Sequence, residues 1–267
     1  MNRAWILLLP LAVSAWGGTI YDFEAPGYNG SAGGTPLGGQ AGWMVNTGDR
    51  DAGVYTYSGT GAPVPTGGDS QFAVLFGPNV QDDHSQSFAG SSVWDISFDI
   101  LVHSFDPDYS SAGSFFLYNR GTGYELHAFP WYPGTPGTWD AVFDVFNSAG
   151  GRNSGVNPRG GFDGLQIDQW YQEQIVIDTA LNQILSISIG QPGSPAAATY
   201  DPSGWYLYGG ASAPFSVTGL GMFAYGTLAF DNIAVDAVPT PEPAPWALGL
   251  AGAAVLCGLR ARKRARA

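Results

Sequence analysis

The chain has 267 residues, of which 39 are Gly, 19 are Pro and 12% are charged, with a formal net charge of −12 and a single cysteine. Coiled coils and helical repeats need Ala, Glu, Lys and Leu at helical period, and the sole lysine here is Lys263, so the all-helical classes drop out. Aromatics at 14%, interleaved with β-branched residues, supply enough apolar surface for a folded, β-rich body despite the Gly and Pro content. Six of the ten basic residues sit at the chain ends, and between Thr19 and Val238 four arginines stand against 21 acidic residues. Binding a phosphate backbone needs Lys and Arg to displace condensed counterions, so nucleic acid is not expected as a partner.

In chain order, residues 1–18 come first: a short basic start at Arg3, an apolar stretch from Ala4 to Val13, then small residues. The run Val13, Ser14, Ala15 fits the small-x-small cleavage rule, which predicts a secretory signal peptide processed by signal peptidase after general export. The Gly-rich segment Gly27 to Gly42 lacks a phosphate-binding Lys and reads as a flexible loop.

Strand candidates then recur through residues 19–237, separated by Gly, Pro, Asn and Asp clusters. They are Thr19 to Glu24, Val54 to Tyr57, Gln71 to Phe76, Val93 to Phe105, Ser114 to Asn119, Tyr124 to Phe129, Trp139 to Asn147, Trp170 to Asp178, Gln183 to Ile189, Trp205 to Tyr208 and Thr227 to Val235. Period-2 patterning is clearest in the fourth, where Trp94, Ile96, Phe98, Ile100 and Val102 share one face while Asp95, Ser97, Asp99 and His103 share the other with Leu101. In the last strand the alternation breaks at Asp231 and Asn232, as at a bulge. The pattern predicts one all-β domain, an antiparallel two-sheet sandwich of jelly-roll type.

Three short stretches point the same way: Ile20-Tyr21-Asp22-Phe23-Glu24 with Gly39-Gln40-Ala41-Gly42-Trp43, then Trp170-Tyr171 with Ile175, Ile177 and Asp178, and finally Phe230-Asp231-Asn232-Ile233-Ala234-Val235. Together they resemble concanavalin-like (laminin-G-like) jelly rolls of exported bacterial proteins. The resemblance implies that the first and last strands lie near each other.

Catalytic constellations are sparse. Glycosidases need two carboxylates roughly 5 to 9 Å apart, whereas Asp95 with Asp99, or Asp140 with Asp144, fall four apart on a strand, about 13 Å. The Glu-x-Asp-x-x-Glu run of concanavalin-like glucanases is absent, and the body has three glutamates, Glu24, Glu125 and Glu173. The aspartates read instead as solvated groups opposite a buried face. No Gly-x-Ser-x-Gly elbow occurs, and His84, His103 and His127 lack partners at zinc-ligand spacing. No catalytic residue is assigned. Among cofactors only structural calcium is a candidate, with Asp49, Asp51, Asp106 and Asp108 as ligands in short acidic turns and Asp82-Asp83 as a further closely spaced pair, although turn propensity alone also places aspartates there. Tyr109, Trp131, Tyr132 and Trp205 lie among Gly, Pro and Ser, where an exposed ring could stack on a sugar; the alternative is that they fold back to cap the core.

The C-terminal residues 238–267 divide into three parts. A Pro-rich spacer runs from Val238 to Pro245, an apolar segment 246–259 is a candidate membrane helix, and Arg260, Arg262, Lys263, Arg264 and Arg266 form a basic stop. At 14 residues the apolar segment is short against the roughly 20 needed to span, and snorkelling arginines can extend it. Cys257 lies inside this segment, so no intramolecular disulfide exists. The order of Pro241-Glu242-Pro243, apolar helix and arginine-rich tail resembles the PEP-CTERM sorting signal of Gram-negative bacteria. That resemblance implies an exosortase-type protease as processing partner and a destination at the cell surface, often in a polysaccharide-rich matrix. The expected protein is therefore exported, non-enzymatic, and structural or glycan-contacting, with extracellular polysaccharide as a candidate partner. The alternative is a polysaccharide-degrading hydrolase or lyase on a concanavalin-like scaffold.

Overall fold

The computed structural model describes residues 18–46, 49–60, 62–65 and 69–239. The cleavage region Val13 to Ala15, the Pro241-Glu242-Pro243 motif, the membrane segment and the basic stop lie outside the described residues. Among those described, no helix is long and apolar enough to cross a membrane.

The strands are β1 (Thr19–Tyr21), β2 (Thr35–Pro36), β3 (Met44–Val45), β4 (Gly53–Thr56), β5 (Gln71–Phe76), β6 (Val80–Ser85), β7 (Val93–Ser104), β8 (Gly113–Asn119) and β9 (Gly123–Trp131). They continue with β10 (Thr138–Phe146), β11 (Arg152–Val156), β12 (Leu165–Gln166), β13 (Trp170–Asp178), β14 (Gln183–Gly190), β15 (Ala198–Tyr200), β16 (Gly219–Ala224) and β17 (Thr227–Ala237). One four-residue helical turn, α1 (Tyr57–Thr60), follows β4. A nine-stranded sheet runs β15-β14-β13-β7-β17-β5-β4-β2 with β1 beside β17, and an eight-stranded sheet runs β11-β10-β9-β8-β16-β6-β3 with β12 beside β10. The ladders are antiparallel throughout, giving the jelly-roll sandwich that the alternation predicted.

Alternation places the core. Trp94, Ile96, Phe98, Ile100 and Val102 of β7 all point inward, against Phe115 and Leu117 of β8 and Trp139, Ala141, Phe143 and Val145 of β10. Phe98 and Phe115 stack across the two sheets with ring centroids 4.2 Å apart. β1 pairs with β17, Thr19 opposite Val235, so the first and last strands are neighbours as the resemblance implied. The register of β17 shifts between Asp231 and Ala234, with Asn232 at φ 48°, where the sequence pattern broke.

Three expectations are corrected. Trp205 to Tyr208 is no strand of either sheet; Tyr206 makes isolated bridges to Phe146 and Gln183, because Gly and Pro on both sides end the pairing. The segment Gly27 to Gly42 is built into the sandwich: Tyr28 and Leu37 are buried, and Tyr28 Oη accepts the Trp43 indole N–H at 3.1 Å. Asp99 and Asp144, read as solvated, are buried, because Gln172 and Asn232 donate to Asp99 and Arg152 and the Gly155 N–H donate to Asp144.

Candidate functional site

The residues that alternation turns away from the core on the eight-stranded sheet form a groove. On β8, Phe116 and Tyr118 point outward between inward Phe115 and Leu117. On the adjoining β16 the outward positions are Gly219, Gly221 and Phe223, the two glycines opposite Tyr118 and Phe116 on one edge and Ser85 and Asp83 of β6 on the other. A Cβ on Gly221 would lie 2.4 Å from the Phe116 ring and 2.7 Å from Asp83 Oδ1, and one on Gly219 would lie 2.5 Å from the Tyr118 ring. The two glycines thus let both rings lie flat across β16 as a floor.

A bulge shapes the wall. The β8–β9 register shifts between Leu117 and Tyr118, so Glu125 is an extra residue that turns inward, where its Oε1 accepts from Thr122 Oγ1 at 2.7 Å and Ser216 Oγ at 2.8 Å. Tyr124 then faces out at the mouth of the groove, 45% exposed, with its ring 5.1 Å from Phe116 and 4.1 Å from His127. The outward row of β9 continues through His127 and Phe129 to Trp131, which is 42% exposed. From Tyr124 to Trp131 this row spans roughly 23 Å at strand rise.

Two hollows meet at Tyr124. The first, about 620 Å³, is lined by Met44, Gln81, Asp83, Phe116, Asn119 and Arg120 among others, and the second, about 290 Å³, by His127, Asp144, Phe146, Arg152 and Tyr208; Gly123 and Tyr124 line both. Burial raises the Asp83 carboxyl above its usual range, with Asp49 adding to this, while the Gln81 amide and the Arg120 charge pull it back. In the second hollow Asp144 forms an ion pair with Arg152 and accepts the Gly155 N–H at 2.8 Å. Burial pushes His127 down to about 4, so its imidazole is neutral, and its Nε2 is covered and without a hydrogen-bond partner. Phe116 and Tyr118 are buried as the floor, and the exposed rings of Tyr124 and Trp131, with amide, carboxylate and guanidinium groups beside Tyr124, suit a hydroxyl-bearing ring compound: the rings stack and the polar groups bond its hydroxyls.

The residues singled out from sequence fall in different places. Trp131 ends the outward row of β9, and Tyr132 beside it is 39% exposed with its ring 5.5 Å from Phe105. Tyr109 is exposed but its ring stacks on Tyr225 at 4.0 Å, which occupies one face. Trp205 is buried instead, 5.2 Å from Tyr200 and 6.1 Å from Phe143, and caps the core. Asp83 was marked only with Asp82 as an acidic turn suited to calcium, and the pair lies on β6 instead. Tyr124 and Arg120 were not singled out; the signal available was the strand pattern Phe116, Tyr118, Tyr124 around a tight turn.

The acidic turns are tied into the backbone around them. Asp106 Oδ1 accepts the Asp108 N–H at 2.8 Å in a turn, and Asp51 Oδ1 accepts the Gly38 N–H at 2.8 Å. Beside Asp51, Asp82 is buried, and burial with the neighbouring carboxylate raises its pKa. Among the described residues no three His, Cys, Asp or Glu side chains converge on a metal-sized site.

The glutamates are each engaged elsewhere. Glu24 binds Ser70 and Gln71, Glu125 is turned inward, and Glu173 lies in the core. Asp140 accepts the Gly164 N–H at 2.9 Å.

No protein-family model matches the chain, and no curated protein matches it. Solved structures similar to it include Cip1, a cellulose-induced protein, at 13% identity over 83% of this chain and 98% of that one, with a TM-score of 0.48. A second is the CBM2 module of the evolved Dit of Lactobacillus casei BL23 phage J-1, at 13% identity over 76% of this chain and 94% of that one, with a TM-score of 0.42. A third is the botulinum neurotoxin serotype G binding domain, at 8% identity over 85% of this chain, with a TM-score of 0.41; the chain spans 45% of that domain's length. All three scores lie below 0.5, too low for function to be carried across.

Proposed function

We propose that the protein is an exported, non-catalytic β-sandwich that contacts polysaccharide through the groove on its eight-stranded sheet. The observation that carries this is Tyr124, an exposed ring at the junction of two hollows, with Gln81, Asp83, Asn119 and Arg120 within the same lining. Flat rings beside planar polar side chains are what sugar recognition requires, and Trp131 extends the aromatic row. The non-catalytic part is supported by the separation of the two groove carboxylates, Asp83 in one hollow and Asp144 in the other, the latter held by Arg152. His127, the one imidazole lining either hollow, has its Nε2 covered and is held neutral by burial.

Routing rests on the sequence. The PEP-CTERM-like order of Pro241-Glu242-Pro243, apolar segment and basic tail, with the N-terminal signal peptide, supports export, exosortase-type processing and a place at the cell surface or in its matrix.

The test is to mix the purified full chain with the host's extracellular polysaccharide, pellet the polymer, and assay bound protein and new reducing or unsaturated ends together. Co-pelleting that is lost in Tyr124→Ala, with no new ends, is the expected result. New ends would establish a polysaccharide-degrading enzyme, and absence of pelleting would remove the glycan reading.

A further inference from the structure

The charge within the groove differs from that of the body around it. The first hollow holds one carboxylate, Asp83, and one guanidinium, Arg120, and the second holds Asp144 and Arg152 with a neutral His127. Two of the body's four arginines thus each match the single carboxylate of one hollow. The other two, Arg50 and Arg159, stand against the remaining 19 of the 21 acidic residues between Thr19 and Val238. A lining balanced in charge, set in a strongly acidic surface, disfavours a polyanion in two ways. The surface repels it over about 10 Å at ordinary ionic strength, and the groove gives no net positive charge in return. A polycation would be drawn to the rest of the surface and not to the groove.

The second observation is continuity. Gly123 and Tyr124 border both hollows, and neither hollow is an enclosed end, so a ligand bonded in one continues past the Tyr124 ring into the other. The hairpin turn Asn119 to Gly123 that carries Arg120 stands between them and has no Cβ at Gly123, where φ is 91° and nothing lies within 4 Å.

We infer that the groove takes an internal stretch of an uncharged polysaccharide several sugars long, laid over Tyr124 and reaching into both hollows, its hydroxyls bonded by Asp83 with Arg120 on one side and by Asp144 with Arg152, four strands away, on the other. This rests on the glycan reading above and names its substrate class.

The experiment is affinity gel electrophoresis of the full chain in mild detergent, through gels carrying a neutral glucan, a neutral mannan or polygalacturonate, at about 20 and about 500 mM salt, between which the screening length falls several-fold. Expected is retardation by a neutral polymer, within twofold at both salts, none by polygalacturonate, and loss in Tyr124→Ala of tenfold or more. Longer oligosaccharides of the retarding polymer should compete better than its monosaccharide. Retardation by polygalacturonate that Tyr124→Ala abolishes would overturn the uncharged class while leaving the groove as a glycan site. Retardation that Tyr124→Ala leaves unchanged, or none in any gel, would sink the glycan reading and this inference with it. Because Tyr124 is exposed, its variant should keep the wild-type melting temperature; Arg120→Gln, also on the surface, serves as a second variant and should weaken neutral-polymer binding severalfold.

Discussion

Glu173 sits on β13 in phase with Tyr171, Ile175 and Ile177, so alternation turns its carboxyl into the middle of the sandwich. It is 1% exposed, its Oε2 has no hydrogen-bond partner, and burial pushes its pKa from 4.5 up to about 8. At neutral pH the folded chain therefore keeps a proton there that the unfolded chain has released. Folding raises this pKa, so the stability is fully present below 4.5 and is lost progressively as pH climbs through about 8. Each pH unit in that window removes about 1.4 kcal/mol, and the roughly 2.5 units between 4.5 and 7 give a cost on the order of 3 kcal/mol at pH 7. Glu173→Gln keeps the volume and removes the titration. Urea unfolding of wild type and variant at pH values from 5 to 8 should show the variant gaining on the wild type by about 1.4 kcal/mol per pH unit. The amide's own unpaired N–H groups add an offset that does not change with pH, so the slope is the readout. Parallel stability curves for the two proteins would refute the reasoning and mean that Glu173 ionises inside the folded sandwich.

Three further outcomes are expected. Tyr57→Phe removes the phenol that donates to Oδ2 of the fully buried Asp231 at 2.7 Å, and the loss of that partner should cost about 1–3 kcal/mol by denaturant unfolding. Gly221→Ala puts a methyl where the Phe116 ring and Asp83 now lie, so polysaccharide retention should fall more than the melting temperature does. Trp205→Ala should destabilise by about 3–5 kcal/mol as a core truncation, whereas Trp131→Ala, at an exposed ring, should change stability by less than about 0.5 kcal/mol in the same unfolding assay.

The readable strands were those whose two faces differ in chemistry. In β7 five apolar residues alternate with polar ones, and the strand and its core face follow directly; β5 and β13 coincide with the segments that the pattern marked. β6 and β16 were hidden for opposite reasons. The sequence Val80-Gln81-Asp82-Asp83-His84-Ser85 carries a buried aspartate at a core position, made tenable by the backbone N–H of Ala52, 2.6 Å from Asp82 Oδ2, and by a hydrogen bond with the Asp51 side chain. In Gly219-Leu220-Gly221-Met222-Phe223-Ala224 two of the three outward residues are glycines, so the alternation is masked, and their purpose shows once the Phe116 and Tyr118 rings are seen lying over them. The site was legible in part. A search for rings among Gly and Pro finds Trp131, but Tyr124 owes its position to a bulge between two strands, and register is a property of the pair that neither strand's sequence displays alone.

Hydrogen–deuterium exchange of the full chain with and without the host's extracellular polysaccharide tests the central claim most directly. Slowed exchange confined to Gln81 to Asp83, Asn119 to His127, Asp144 to Arg152 and the facing part of β16 is the predicted result. Slowing instead on the outer face of the nine-stranded sheet, around Leu101, His103 and Asp168, or no slowing at all, would contradict the groove as the glycan site.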